Sequence, residues 1–210
     1  MVDPFLLVYW VGMAAVAVNA ITAVLETEDK GMDLVGAVIV GLAASLGGGT
    51  LRDVLLDRQV FWLKDPAYLI CGLGAVALTF VVARRMRLSS GGFVIPDALG
   101  LALFTVVGTQ VALALDVPWL AASLMGVITG VVGGVLRDVL VNEVPLIMRP
   151  GTLYATASWS GALACIGATW LGAGEAMAML LGGLVVFGLR LLAIRYHVRL
   201  PSLQSPDRGA

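Results

Sequence analysis

Arg52-Asp53 and Arg137-Asp138 are the residues whose types and setting could do chemistry in this sequence. Each pair lies inside an apolar run, three residues after the last glycine of Gly47-Gly48-Gly49 or of Gly133-Gly134. A charge at the centre of a membrane helix costs about 2.5–3.5 kcal/mol. Each pair must therefore face other charges, a polar cavity or the interface, or else snorkel to the membrane edge. Adjacent helical residues point about 100° apart, so neither pair is expected to close simply on itself. Asp53 and Arg137 are expected to lock to other helices while their neighbours line a path.

The glycines admit two readings. Each costs roughly 1 kcal/mol in a helix interior relative to alanine. They provide either a groove for close packing or an unwound turn whose carbonyls face a water-filled path. The repeated arrangement, with charge following each time, favours the unwound turn. Other polar residues within apolar runs are few: Asn19, Thr22, Ser45, Thr50, Thr105, Thr109, Gln110, Thr129, Ser158 and Ser160. Singly, each can bond its own preceding turn; together they suggest a hydrophilic seam.

Nothing resembles a nucleophile with its base, a phosphate loop or a catalytic carboxylate pair, so no catalytic residue is expected. Gly91-Gly92 lacks the strand context of a dinucleotide fingerprint. Cys71 and Cys165 have neither CxxC spacing nor a nearby histidine, and His197 stands among arginines. No metal site and no cofactor are expected.

These residues need elements to carry them, and composition says which. The 210 residues are 60% hydrophobic and 13% charged, with a mean hydropathy of +0.98. A soluble domain carries about 25% charged residues, so this chain cannot solvate a globule of its size, and disorder is excluded on the same ground. The 26 glycines suit helices that approach closely within a bilayer. A net charge of −1 offers no basic field for nucleic acid.

Seven apolar runs are long enough for a membrane helix: about 5–25, 34–56, 66–83, 95–115, 119–141, 151–171 and 175–195. Continuous runs speak against a β-barrel. Pro4, Pro66, Pro96, Pro118 and Pro150 fall at or just before run starts. The opening Met1-Val2-Asp3-Pro4 has no basic segment and reads as the start of a retained helix. Arg84, Arg85 and Arg87 form the densest basic cluster and are expected to be cytoplasmic. Counting crossings puts the N-terminus outside and the C-terminus inside, where Arg195, Arg199 and Arg208 agree.

Residues 41–55 align with 126–140, identical at Gly41, Gly48, Gly49 and all of Leu-Arg-Asp-Val-Leu (51–55). Gly12 aligns more loosely with Gly100, and Ala14 with Ala102. A unit of three spans is odd, so a second copy must cross in the opposite sense. The expected fold is an all-α integral membrane protein with seven transmembrane helices, an inverted 3+3 repeat plus one extra helix. Its parts are residues 1–88, 89–172, a seventh helix 173–197 and a cytoplasmic tail 198–210.

The segments 47–55, 133–140 and Asp97-Ala-Leu-Gly-Leu-Ala-Leu-Phe-Thr-Val-Val-Gly-Thr109 resemble the prokaryotic TRIC family of cation channels, also described as tandem glycine-transporter-type domains. The resemblance spans roughly residues 5–195 and implies a homotrimer in the lipid of a cell (inner or plasma) membrane. It implies one pore inside each protomer between the repeats, kinks in the second and fifth helices, and conduction of K⁺, also Na⁺. This sequence departs from the family's pattern at Tyr9, where members often carry Asp, and at Asn19-Ala20, where they carry Ser-Gly. The second repeat keeps Asp97 and Gly108.

On that reading, carbonyls at Gly47, Gly48, Gly49, Gly133 and Gly134 replace part of the ion's water shell. Asp53 and Asp138 favour cations, and Arg52 and Arg137 serve as gates or clamps. Asn19, Ser45, Thr105 and Thr129 line or constrict the path. The rival is a secondary transporter of a small solute such as glycine, which an inverted repeat and broken helices suit equally.

Overall fold

The computed structural model describes residues 4–86, 94–149, 151 and 153–198. Arg87, Gly91-Gly92, Pro150, Arg199 and Arg208, named above, lie outside the described residues. Helices α1 (Pro4–Thr27), α2 (Leu34–Leu55), α3 (Phe61–Lys64), α4 (Ala67–Met86), α5 (Val94–Leu113), α6 (Trp119–Leu140), α7 (Tyr154–Trp170) and α8 (Glu175–Tyr196) follow in order. Short 3-10 turns occupy Glu28–Lys30 and Leu146–Met148.

The seven expected spans are met in part: among the described residues, six of the seven long helices are long and apolar enough to cross a membrane. The remaining long helix, α7, has 17 residues. Gly151 and Leu153 hold φ of 85° and 43°, so the helix cannot begin before Tyr154. The four-residue α3 lies between two of the runs; one helical turn is too short to leave a periodic signal.

Apolar side chains face outward along these helices, among them Val35, Ile39, Ile70, Leu78, Leu180 and Leu184. A surface so poor in charge suits lipid, and the fold is multi-pass and all-α. Trp119, the first residue of α6, and Trp170, the last of α7, meet edge to face with ring centroids 6.0 Å apart, a helix-end position that suits a membrane interface.

In the first half α1 packs on α2 and α4; in the second α5 packs on α6 and α7. The halves meet where α1 lies on α5 and α2 on α6, and α8 leans on α5 and α7. The α2–α6 crossing is reciprocal. A Cβ at Gly48 would overlap the carbonyl oxygen of Thr129, and one at Gly133 would overlap that of Ala44. Since 44–48 meets 129–133 in reverse order, the helices run antiparallel. Arg52 and Arg137 therefore sit at opposite ends of the crossing.

The unwound turn expected at the glycines is absent: both helices run unbroken through Gly47–Gly49 and Gly133–Gly134. The bare backbone is used to let two helices touch, and the close contact with a neighbouring carbonyl offsets the poor helix propensity of glycine.

Candidate functional site: the charged ends of the crossing

Each Arg-Asp pair occupies the last turn of its helix, and the chain beyond it folds identically twice. Asp57 and Asn142 take φ of 50° and 58°, turning the backbone away from the helix axis. The amides of Arg58 and Glu143 return to the carbonyls of Asp53 and Asp138 at 3.0 and 2.8 Å. Asp53 Oδ2 accepts the N–H of Phe61 at 2.8 Å, and Asp138 Oδ2 accepts that of Leu146 at 2.7 Å. Each aspartate thus holds the start of the next short helical turn.

The expectation that adjacent Arg and Asp would not pair is corrected. Nε of Arg52 and of Arg137 each donates to Oδ1 of the following aspartate at 2.9 Å. Near a helix end the aspartate carboxylate is already turned toward the loop, which brings its other oxygen within the arginine's reach.

Beyond this shared core the two ends differ. Arg137, 1% exposed, donates through Nη1 to Asp97 Oδ1 of α5 at 2.8 Å, and its Nε pairs with Glu26 of α1. Asp97 Oδ1 also accepts the Tyr154 hydroxyl of α7 at 3.1 Å, and its Oδ2 lies 3.3 Å from Arg190 Nη2 of α8. The Arg190 guanidinium carbon stands 4.7 Å from the centre of the Tyr154 ring. Charges from α1, α5, α6 and α8 thus converge and satisfy one another away from lipid.

At the other end Arg52, also buried, pairs among the described residues with Asp53 alone and stacks 5.7 Å from the Phe61 ring. Asp53 Oδ1 is shared with Arg58 Nε at 3.5 Å. Here a cavity of about 340 Å³ opens, lined among others by Tyr9, Gly49, Arg52, Arg58, Lys64 and Tyr68.

Of the residues singled out from sequence, Gly49 and Arg52 reach this cavity. Gly47 faces the Leu136 side chain and Gly134 the Tyr154 hydroxyl. The Asn19 amide donates to Ala15 O at 3.1 Å and lies against Gly100. Ser45 donates to Gly41 O at 2.7 Å, and Thr129 to Met125 O at 2.6 Å. Thr105 shares a 2.7 Å hydrogen bond with Ser158. All four are buried; Asn19, Ser45 and Thr129 spend their polar groups on the preceding turn of their own helix, and Thr105 on Ser158 of α7.

Sequence reasoning missed Glu26, Tyr154 and Arg190 as site residues, and quoted Asp97 only within a motif. An arginine in the middle of the last apolar run and an aspartate in the first turn of the fourth were usable signals.

Outside the spans, Lys30 Nζ lies 2.5 Å from Glu143 Oε1 and Arg149 Nη2 lies 3.2 Å from Oε2. The Lys30 hydrogen bond first, and its charge second, hold the Glu143 carboxyl below the ordinary glutamate value. Such a depressed carboxyl contributes stability that is present above its unfolded pKa of about 4.3 and lost as pH falls through the lower folded value. Lys30→Gln is expected to raise the Glu143 pKa, read from the carboxyl ¹³C shift in an acid titration. Stability should change little, because both side chains are exposed and screened.

A family profile described as "Glycine transporter" matches residues 9–84 and again 94–170. Over 207 residues the chain is 39% identical to the UPF0126 inner membrane protein YadS of Escherichia coli K12, covering 97% of this chain and 100% of that one. It is 38% identical over 198 residues to a UPF0126 membrane protein of Vibrio cholerae, covering 93% and 82%. Among solved structures, the TRIC trimeric intracellular cation channel orthologue from Rhodobacter sphaeroides gives a TM-score of 0.86 at 34% identity, covering 91% of this chain and 99% of that one. A prokaryotic TRIC channel crystallised in 0.5 M KCl gives 0.84 at 28% identity, covering 93% and 100%.

Proposed function

Because the chain belongs to the family of tandem glycine-transporter-type membrane proteins that includes the prokaryotic TRIC channels, we propose that it is a monovalent cation channel. It conducts K⁺, and also Na⁺, through a pore within each protomer of a homotrimer. The pore follows the seam between two inverted three-helix units, residues 1–88 and 89–172, with α7 as the sixth crossing, α8 (within 173–197) as the seventh and 198–210 as a cytoplasmic tail. The protein resides in the inner or plasma membrane with its N-terminus outside. The observation that carries this reading is the reciprocal, antiparallel packing of α2 on α6, which supports a two-fold seam running between the units.

The second and fifth spans, α2 and α6, are the gate. The Arg137 cluster closes one end of the seam, so opening requires α6 to bend at Gly133–Gly134 and draw Arg137 away from Asp97 and Glu26. Asp53 and Asp138 set the preference for cations, while Arg52 and Arg137 stay clamped to them. Purified protein in a planar bilayer should give unitary K⁺ currents with weak K⁺/Na⁺ discrimination under ion substitution. Anion-selective currents, or a silent bilayer at high protein loading, would overturn the reading.

One feature favours a second reading, secondary transport of a small solute such as glycine. A cavity stands at the Arg52 end while buried charge closes the Arg137 end, as alternating access requires. Saturable glycine uptake by proteoliposomes, without unitary currents, would select it.

A further inference from the structure

The two ends of the α2–α6 crossing carry the same Arg-Asp pair with unequal counter-charge. Arg137 meets three carboxylates, those of Asp138, Asp97 and Glu26. The register that aligns Gly12 with Gly100 places Tyr9 opposite Asp97 and Ala114 opposite Glu26. The structure supports this register, since Tyr68 Oη reaches the Tyr9 carbonyl at 3.4 Å just as Tyr154 Oη reaches Asp97 at 3.1 Å. At the Arg52 end, therefore, two of the three carboxylates are missing.

Space lies in their place. Tyr9 borders the cavity of about 340 Å³, and Ala114 borders an adjoining one of about 570 Å³. Arg58 and Lys64 line both. Nε and Nη2 of Arg52 are engaged by Asp53 Oδ1, which leaves Nη1 without an acceptor among the described residues. The cations Arg52, Arg58 and Lys64 face the carboxylates of Asp53 and Asp65, and Asp65 Oδ1 already accepts the Ala67 amide at 2.9 Å. Glu175 lines the adjoining cavity, so the surplus of one cation belongs to the first cavity, which stands at the small end of the range for ligand sites.

We propose that this cavity binds a small carboxylate, whose two coplanar oxygens take the place at Arg52 that Asp97 and Glu26 fill at Arg137. Guanidinium groups match that paired-oxygen geometry better than they match a spherical halide. The apolar flank of Phe104 and Val107 accepts the short hydrocarbon end. The site rests on neither reading of conduction, because it follows from the unequal counter-charge alone.

The test is a thermal-unfolding titration of the full chain in phosphatidylcholine nanodiscs with sodium acetate, set against sodium chloride at equal ionic strength. Acetate should raise the melting temperature in a saturable way and chloride should not. Arg58→Gln should weaken the apparent acetate affinity about tenfold, the usual effect of losing one charge-assisted bond. Tyr9→Asp supplies the missing carboxylate from the chain itself; it should abolish the acetate response and raise the melting temperature of the ligand-free protein. Equal responses to acetate and chloride, or the same acetate response in wild type and Tyr9→Asp, would overturn the proposal. Should Tyr9→Asp fail to fold, the partly exposed Arg58 and the exposed Lys64 decide: an unchanged acetate response in both Arg58→Gln and Lys64→Gln overturns it. No flux is measured, so failure here leaves the channel reading standing, and a silent bilayer leaves this site standing.

Discussion

Replacing Arg137 with alanine is expected to remove about 3–5 kcal/mol of stability, the range for stripping one partner from a buried ion pair. The substitution leaves Asp97, Asp138 and Glu26 facing one another around the vacated volume, with Arg190 the remaining cation beside Asp97. Water cannot easily reach them, since Asp97 and Asp138 are each 1% exposed. Arg52→Ala should cost distinctly less. Asp53 keeps the guanidinium of Arg58 and the amide of Phe61, and the cavity beside it gives the carboxylate a wet face. Loss of folded protein on heating, followed by fluorescence-detected size exclusion, compares the two variants directly. Equal losses at both arginines would show that the counter-charge around Arg137 adds nothing beyond its neighbouring aspartate.

The second large effect belongs to the crossing itself. Gly48→Val and Gly133→Val each drive a branched side chain into a backbone carbonyl, that of Thr129 or of Ala44. Neither obstacle is a side chain that can rotate away, so α2 and α6 must separate. Overpacking of this kind costs about 1–3 kcal/mol, at the upper end here, and conductance should fall with it. The double variant should cost less than the sum of the single ones, because helices already parted by one substitution accommodate the other. Gly74→Ala is the control: a Cβ there meets nothing within 4 Å, so up to about 1 kcal/mol of helix propensity is gained. Chemical unfolding of all four proteins gives the comparison, and an additive double variant would mean that the two contacts are independent.

The run lengths, the prolines at their edges and the repeated Leu-Arg-Asp-Val-Leu make the long helices and the doubled architecture legible in the amino-acid sequence itself. Span ends are legible to within a few residues, because hydropathy changes sharply there. Two things are not legible, for different reasons. A glycine run has the same composition whether it unwinds or packs, and only the neighbour decides: Thr129 O against Gly48 and Ala44 O against Gly133. The Arg137 cluster joins residues 26, 97, 137, 138, 154 and 190 from five helices, a convergence that no local spacing encodes. What can be read is its cost. Asp97 and Arg190 each stand nearly alone in an apolar run, and isolated charges in such runs must find each other. The difference between Tyr9 and Asp97 is visible in the repeat alignment, but its meaning needs the cavity.

The crossing of α2 and α6 has the form of an isologous interface, in which the same patch on two partners meets itself. Two separate copies of one three-helix unit could make that contact only as a homodimer, and a homodimer must carry the same residue at both ends. Here both partners belong to one polypeptide, so the constraint is lifted. The protein can keep the shared contact at Gly48 and Gly133 while placing Asp97 and Glu26 at one mouth and Tyr9 and Ala114 at the other. Covalent joining thus turns a structure with two equivalent faces into one with a direction: a mouth sealed by its own counter-ions, and a mouth that must take them from solution.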